Sequence, residues 1–317
     1  MNAVNENRLF SFPVLLRTEK NELQQRLSPE AREWLDHLQV PRLDRRVNIF
    51  LRGFPRGGTS LTSLILASHP SAIYFREPHF PYINVSGATA KKFRPEFYRG
   101  LWTCEIGNIL VDLPFYYFKS FILAIWPYSE HMAGFKLPCL PGLYSRLIRN
   151  VEFMNRFCSK HSVRIVKEVN LFPMTHYIPL MDDPNLNVIM IQLWRDPRRI
   201  MKSRLDEYWC FGECQNVSHF CSEVLQDLDD DESFAKAYPN RYISLHFEDM
   251  QSDPHGFFSA LFWRLGIPWD AKIGEYIDAN VRNYSKIHST DELDAPVCKT
   301  ALERLYSDRT RRLGRII

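Results

Sequence analysis

The chain has 317 residues, of which 45% are hydrophobic and 14% aromatic, with a formal charge of +3. That is enough apolar material for one large core, and it excludes a disordered chain. The mild, scattered positive charge also argues against nucleic acid as the partner.

Residues 1–40 form a lead-in containing Ser28-Pro29-Glu30-Ala31-Arg32-Glu33-Trp34-Leu35-Asp36-His37-Leu38. A serine cap, proline in the first turn and amphipathic spacing predict a helix there. The apolar run Leu9 to Leu16 is interrupted by Ser11 and Pro13 and preceded by Glu6, a poor signal peptide. Residues 41–317 are expected to be one domain.

Its first strand is predicted near 47–52, followed by Gly53-Phe54-Pro55-Arg56-Gly57-Gly58-Thr59-Ser60 and then a helix from Ser60 to Ala67. The glycines have the spacing of a loop that wraps backbone N–H groups around phosphate, ahead of a helix whose first N–H groups are free. Thr59 stands where a nucleotide-hydrolysing loop carries lysine, so transfer of a γ-phosphoryl group is disfavoured. Taken alone, the glycine pair is equally a tight turn.

A strand near 72–76 ends at Glu77-Pro78-His79. A carboxylate at a strand's carboxyl edge can act as general base, or can simply pair with Arg76. Residues 79–160 are a long insertion suited to holding an acceptor. Within it, Phe115 to Trp126 is broken by Lys119 and too short to cross a bilayer, which predicts a buried helix. Further strands are predicted near 163–168, 187–194 and 241–247.

After the fourth of these five strands come Arg195-Asp196-Pro197, with Asp196 as helix cap and Pro197 in the first helical position. Arg195 and Ser203 can together address a second anionic group. The run from Asp227 to Glu232, broken only by Leu228, reads as a solvated helix end or loop. Alternating strands and helices predict an α/β, P-loop-like three-layer fold, with a central parallel sheet flanked by helices.

The chain has seven cysteines. Cys210, Cys214 and Cys221 lie close enough in sequence to pair with one another or with Cys298, and one thiol must remain unpaired. Zinc is a competing reading of that cluster, disfavoured by its spacing. Asn84, Asn216 and Asn283 begin Asn-x-Ser sequons that fit lumenal passage.

Together, Pro55-Arg56-Gly57-Gly58-Thr59-Ser60 and the pair Arg195 and Ser203, eight positions apart, resemble the two phosphate motifs of sulfotransferases that use 3′-phosphoadenosine 5′-phosphosulfate (PAPS). Glu77-Pro78, 21 residues after Arg56, resembles the Golgi carbohydrate 6-O-sulfotransferases, which act on Gal, GlcNAc or GalNAc. So do the segments from Asp183 to Arg198 and from Arg241 to Met250.

The resemblance implies transfer of a sulfuryl group from PAPS to a sugar hydroxyl, without a metal. It assigns Arg56, Gly57, Gly58, Thr59, Ser60, Arg195 and Ser203 to PAPS binding, Glu77 and Arg56 to catalysis, and Lys167 to a substrate or cofactor contact; His79, next to Glu77-Pro78, can orient substrate or be an ordinary hydrogen-bonded surface histidine. Asn170 replaces an arginine of the family pattern, and the tail lacks an expected tryptophan segment. The family's N-terminal membrane anchor is expected but is not present in this sequence, so the resemblance implies the Golgi lumen and the chain itself suggests a soluble or truncated form. A tyrosylprotein sulfotransferase and a non-catalytic relic that binds nucleotide or glycan are the alternatives.

Overall fold

In the computed structural model, described residues are 27, 29–78, 93–106, 125–126, 150–169, 172–281 and 296–316. In chain order the elements are α1 (Pro29–His37), β1 (Val47–Gly53), α2 (Thr59–Ala67), β2 (Ala72–Arg76), α3 (Pro95–Thr103), β3 (Ile125–Trp126), α4 (Val151–Ser159) and β4 (Val163–Glu168). A 3₁₀ turn (Met174–Tyr177) then leads into α5 (Ile178–Met181), β5 (Val188–Trp194), α6 (Pro197–Leu205) and a second 3₁₀ turn (Gly212–Gln215). The rest is α7 (Val217–Ala237), β6 (Tyr242–His246), α8 (Phe247–Ser252), α9 (Pro254–Leu265), α10 (Ala271–Asn280) and α11 (Pro296–Ile316).

The strand order is β3-β2-β4-β1-β5-β6. The five predicted strands pair in parallel, and two-residue β3 adds an antiparallel edge beside β2. Ile125 and Trp126 are therefore extended, which corrects the expectation that they end a buried helix. The remainder of that run lies outside the described residues.

Strands buried on both faces are predominantly apolar, and β1, β4 and β5 are buried throughout, their polar members such as Arg52 and Lys167 being paired. Alternate side chains feed different cores. Phe50, Phe75, Val166 and Met190 pack with Tyr98, Trp102, Phe153 and Phe157 on one face. Leu51, Tyr74, Ile165 and Ile191 pack with Ile65, Leu66, Phe258 and Phe262 on the other. A third cluster joins Trp194 and Phe54 to α6, α7 and α11.

The run from Asp227 to Glu232 lies inside α7 and is split by the helical period, which corrects its reading as a solvated stretch. Asp227 and Asp231, one turn apart, are buried, whereas Asp229 and Glu232 are exposed. Arg52, fully buried on β1, donates to both Asp227 oxygens at 2.9 Å and to Gln192 Oε1 at 2.8 Å. Asp231 accepts from Trp194 Nε1 at 3.4 Å and from the Tyr242 hydroxyl. Apolar burial of those two carboxylates is thus compensated by partners the strands supply.

Three disulfides join Cys104 to Cys158, Cys210 to Cys214 and Cys221 to Cys298. The last two satisfy the expectation that this cluster pairs internally and with Cys298. The first ties the end of α3 to α4. Cys139, the odd thiol, lies outside the described residues, as do Asn84, Asn170 and Asn283.

Candidate active site

From β1 the chain goes toward β2 on one side of the sheet, and from β5 it goes toward β6 on the other. Connections that part in this way leave a crevice at the carboxyl ends of the two strands, where open α/β sheets hold ligands. The glycine loop leaves β1 at that point and Arg195 leaves β5 beside it.

The loop needs its glycines. Gly58 caps α2 with φ of 91°, and a Cβ there would lie 2.2 Å from the Phe247 ring. Gly57 N–H donates to the Phe54 carbonyl at 2.9 Å, closing the turn. The leading N–H groups of α2 then have no carbonyl earlier in the helix to reach, and they face the loop. Thr59 is buried, so the position of the missing lysine faces the protein interior.

A lysine reaches the loop from elsewhere. Lys167 near the end of β4 donates to Ser60 Oγ at 3.2 Å and to the Glu77 carboxylate. Its side chain is 2% exposed, and that of Glu77 is 21% exposed. Burial is the largest influence on Lys167 and lowers its pKa, while Glu77 pulls it back toward the ordinary lysine value. Arg76, the simpler partner for Glu77, is 3.8 Å away. Glu77 N–H also donates to the Lys167 carbonyl at 2.7 Å, so backbone and side chain join the same two residues.

The second motif meets the first. Arg195 Nη1 donates to the Arg56 carbonyl at 2.7 Å, and its guanidinium lies 4.8 Å above the Phe247 ring. Ser203 on α6 accepts from Arg56 Nε at 2.9 Å. Asp196 caps α6 by accepting from Arg198 N–H at 2.9 Å, as its place before Pro197 predicts. The Asp196 N–H donates to Glu248 Oε1 at 2.9 Å; burial, the main influence, raises the Glu248 pKa.

Arg56 and Glu77 both have positive φ, 70° and 46°, a conformation that bulky residues rarely adopt without support from their surroundings. The structure therefore brings together Arg56, Gly57, Gly58, Thr59, Ser60, Arg195 and Ser203, and sets Lys167 between Ser60 and Glu77. His79 lies outside the described residues. The motifs gave no sign of Glu207, which pairs with Arg56 at 2.8 Å, or of the tail residue Tyr306, whose hydroxyl donates to Asp196 at 2.9 Å. Among the described residues no His, Cys, Asp or Glu group has the arrangement of a metal site, and no helix is long and apolar enough to cross a membrane.

Characterised proteins of similar sequence are sulfotransferases. Carbohydrate sulfotransferase 4 of Mus musculus is 20% identical over 267 residues, 73% of this chain and 68% of that protein. Carbohydrate sulfotransferase 5 of the same species is 26% identical over 178 residues, 51% of this chain and 44% of that protein. The chain is similar to carbohydrate sulfotransferases. These similarities bear out the resemblance to carbohydrate sulfotransferases read from the sequence.

No protein-family model matches the chain. Among solved structures, the sulfotransferase domain of the Synechococcus PCC 7002 olefin synthase is 15% identical, with a TM-score of 0.48, over 86% of this chain and 98% of that one. The assignment of this chain to an α/β fold rests on its own parallel sheet and flanking helices.

Proposed function

We propose that this chain is a sulfotransferase that moves a sulfuryl group from PAPS to a hydroxyl of a carbohydrate, at the 6-O position of a Gal-, GlcNAc- or GalNAc-type sugar. The observation that carries the reading is the convergence of both phosphate motifs on one residue. Arg195 holds the Arg56 carbonyl, and Ser203 holds the Arg56 guanidinium.

The residues suit a donor with two anionic ends. Gly57 and Gly58 leave room where side chains would press on Phe54 and Phe247, and the start of α2 offers N–H donors. Arg56, Lys167 and Arg195 add three cations to this region. When bound, the donor supplies the activated sulfuryl group.

The protein's part is positioning, charge stabilisation and proton removal. Arg56, Ser60 and the first N–H groups of α2 hold the phosphate end, where negative charge grows as the bond to sulfur breaks. Arg195 and Ser203 hold the 3′-phosphate. Glu77 accepts the proton of the acceptor hydroxyl as its oxygen attacks sulfur. Lys167 bridges the two halves by touching Ser60 on the donor side and Glu77 on the acceptor side.

Residues 41–317 form the catalytic unit in this reading, with 1–40 as a lead-in, and 79–160, including His79, supply acceptor contacts. Three disulfides support an oxidising compartment, such as the Golgi lumen. The exposed sequon residue Asn216 at the start of α7 is compatible with it.

Calorimetric titration of 3′-phosphoadenosine 5′-phosphate (PAP) into wild type and Arg195→Ala protein without magnesium tests the reading. Binding that weakens in the variant supports it, and an acceptor screen with Glu77→Ala as the inactive control follows. Folded wild type that fails to bind would remove the enzyme.

A further inference from the structure

We infer that Glu207 competes with the incoming anion for Arg56, and that this competition lowers the affinity of the site. The inference rests on the reading of Arg56 as a phosphate-binding residue.

Glu207 lies just beyond the end of α6, where its N–H donates to the Arg204 carbonyl at 2.9 Å. Its Oε1 is 2.8 Å from Arg56 Nη1, while Arg56 Nε donates to Ser203 at 2.9 Å. The exposed arginine is thus bound twice by α6 and the turn that follows it. Glu207 is held in place itself, because its other oxygen accepts from Trp209 Nε1 at 3.2 Å.

A carboxylate presents a guanidinium with the same oxygen pair and charge sign as a phosphate. The two cannot occupy one Nη1 hydrogen at once. A phosphate that takes that position must displace Glu207, and the lost pair is subtracted from the binding free energy. If Glu207 remains nearby, its charge still repels the incoming anion. Either way the ligand-free molecule is stabilised relative to the bound one. Arg56 and Glu207 side chains are 44% and 24% exposed, so solvent screens the pair and the effect is modest.

Glu207→Gln retains an oxygen for Trp209 and removes the charge. PAP and, separately, inorganic pyrophosphate would be titrated into wild type, Glu207→Gln, Glu207→Ala, Arg56→Ala and the Arg56→Ala/Glu207→Gln double variant. The expected result is roughly two- to fivefold tighter binding of both ligands to Glu207→Gln and Glu207→Ala. The gain should shrink as salt is raised and vanish in the Arg56→Ala background, at unchanged thermal midpoint. A merely structural role for Glu207 would not produce that dependence on Arg56.

Equal or weaker binding to both Glu207 variants overturns the inference, and if wild type still binds PAP the nucleotide reading survives. Pyrophosphate gaining affinity while PAP binds neither wild type nor variant keeps the competitor and removes the nucleotide reading. Absence of binding by any protein to either ligand overturns both.

Discussion

Lys167 and Glu77 are joined across neighbouring parallel strands. Lys167 stands beside Arg76 in the β2–β4 register, and Glu77 is the next residue after β2. The register therefore delivers a buried ammonium to a partly exposed carboxylate at the carboxyl edge of the sheet, and Ser60 of the glycine loop completes the contact.

Removing the two partners should have different effects. Glu77→Ala leaves a buried ammonium with one fewer partner and should cost about 1–3 kcal/mol of stability, together with a roughly 10²-fold or larger loss of sulfuryl transfer. Lys167→Met removes the buried charge and should keep stability within about 1–2 kcal/mol of wild type while transfer also falls. Urea unfolding and single-turnover transfer to an accepted sugar would separate them. Between the lowered folded pKa of Lys167 and its ordinary 10.5, the unfolded chain binds more protons, so this group's contribution to stability rises with pH; Lys167→Met should lose that rise.

Arg195→Ala removes both a candidate phosphate contact and the support of the Arg56 carbonyl. PAP affinity should fall roughly 10- to 100-fold, the size of a lost charge-assisted hydrogen bond. Calorimetry at fixed salt measures it. Arg195→Lys should recover only part, since one ammonium cannot reproduce the planar fork that holds the carbonyl and stacks over Phe247.

Arg52 and Asp227 should behave as a structural pair. Asp227→Ala strands a fully buried guanidinium and should destabilise the fold by about 3–5 kcal/mol. Arg52→Met with Asp227→Leu should recover much of that loss. Denaturant midpoints for the single and double variants give the coupling.

The tail helix α11 is fastened by the Cys298–Cys221 disulfide, by Tyr306 to Asp196 and by Arg304 to Asp229 at 2.7 Å. The disulfide closes a sequence separation of 77, and replacing both cysteines by alanine should cost about 2–5 kcal/mol. Thermal unfolding of the double variant checks the value.

At Asp196, burial works to raise the pKa, but the hydrogen bonds from Arg198 and Tyr306 together hold it below the ordinary 3.8. The resulting stabilisation is present above 3.8 and is lost as pH falls through the folded value. Tyr306→Phe should reduce that acid-dependent change by about 1 kcal/mol, read from unfolding curves on either side of that pH.

The positions of the five parallel strands were legible because each is an apolar run long enough to cross a core and bounded by turn residues. The helices after Gly58 and Asp196 were legible for an equally local reason, glycine conformation and an N-cap followed by proline. The meaning of the run Asp227 to Glu232 was not. A helix turns every 3.6 residues, so consecutive carboxylates face different surroundings, and only the strands packed against α7 decide which are paired with Arg52, Trp194 or Tyr242.

Thus the sequence alone determined the alternating α/β order, the glycine loop without a lysine, and the pair Arg195 and Ser203, since each depends on residues near one another in the chain. Tertiary structure decided that Lys167 from β4 reaches the loop that lacks its own lysine, that Arg195 and Ser203 both meet the loop at Arg56, and that Glu207 occupies that arginine. Strand order and sheet register bring these groups together, and they depend on how distant apolar surfaces pack rather than on any local pattern.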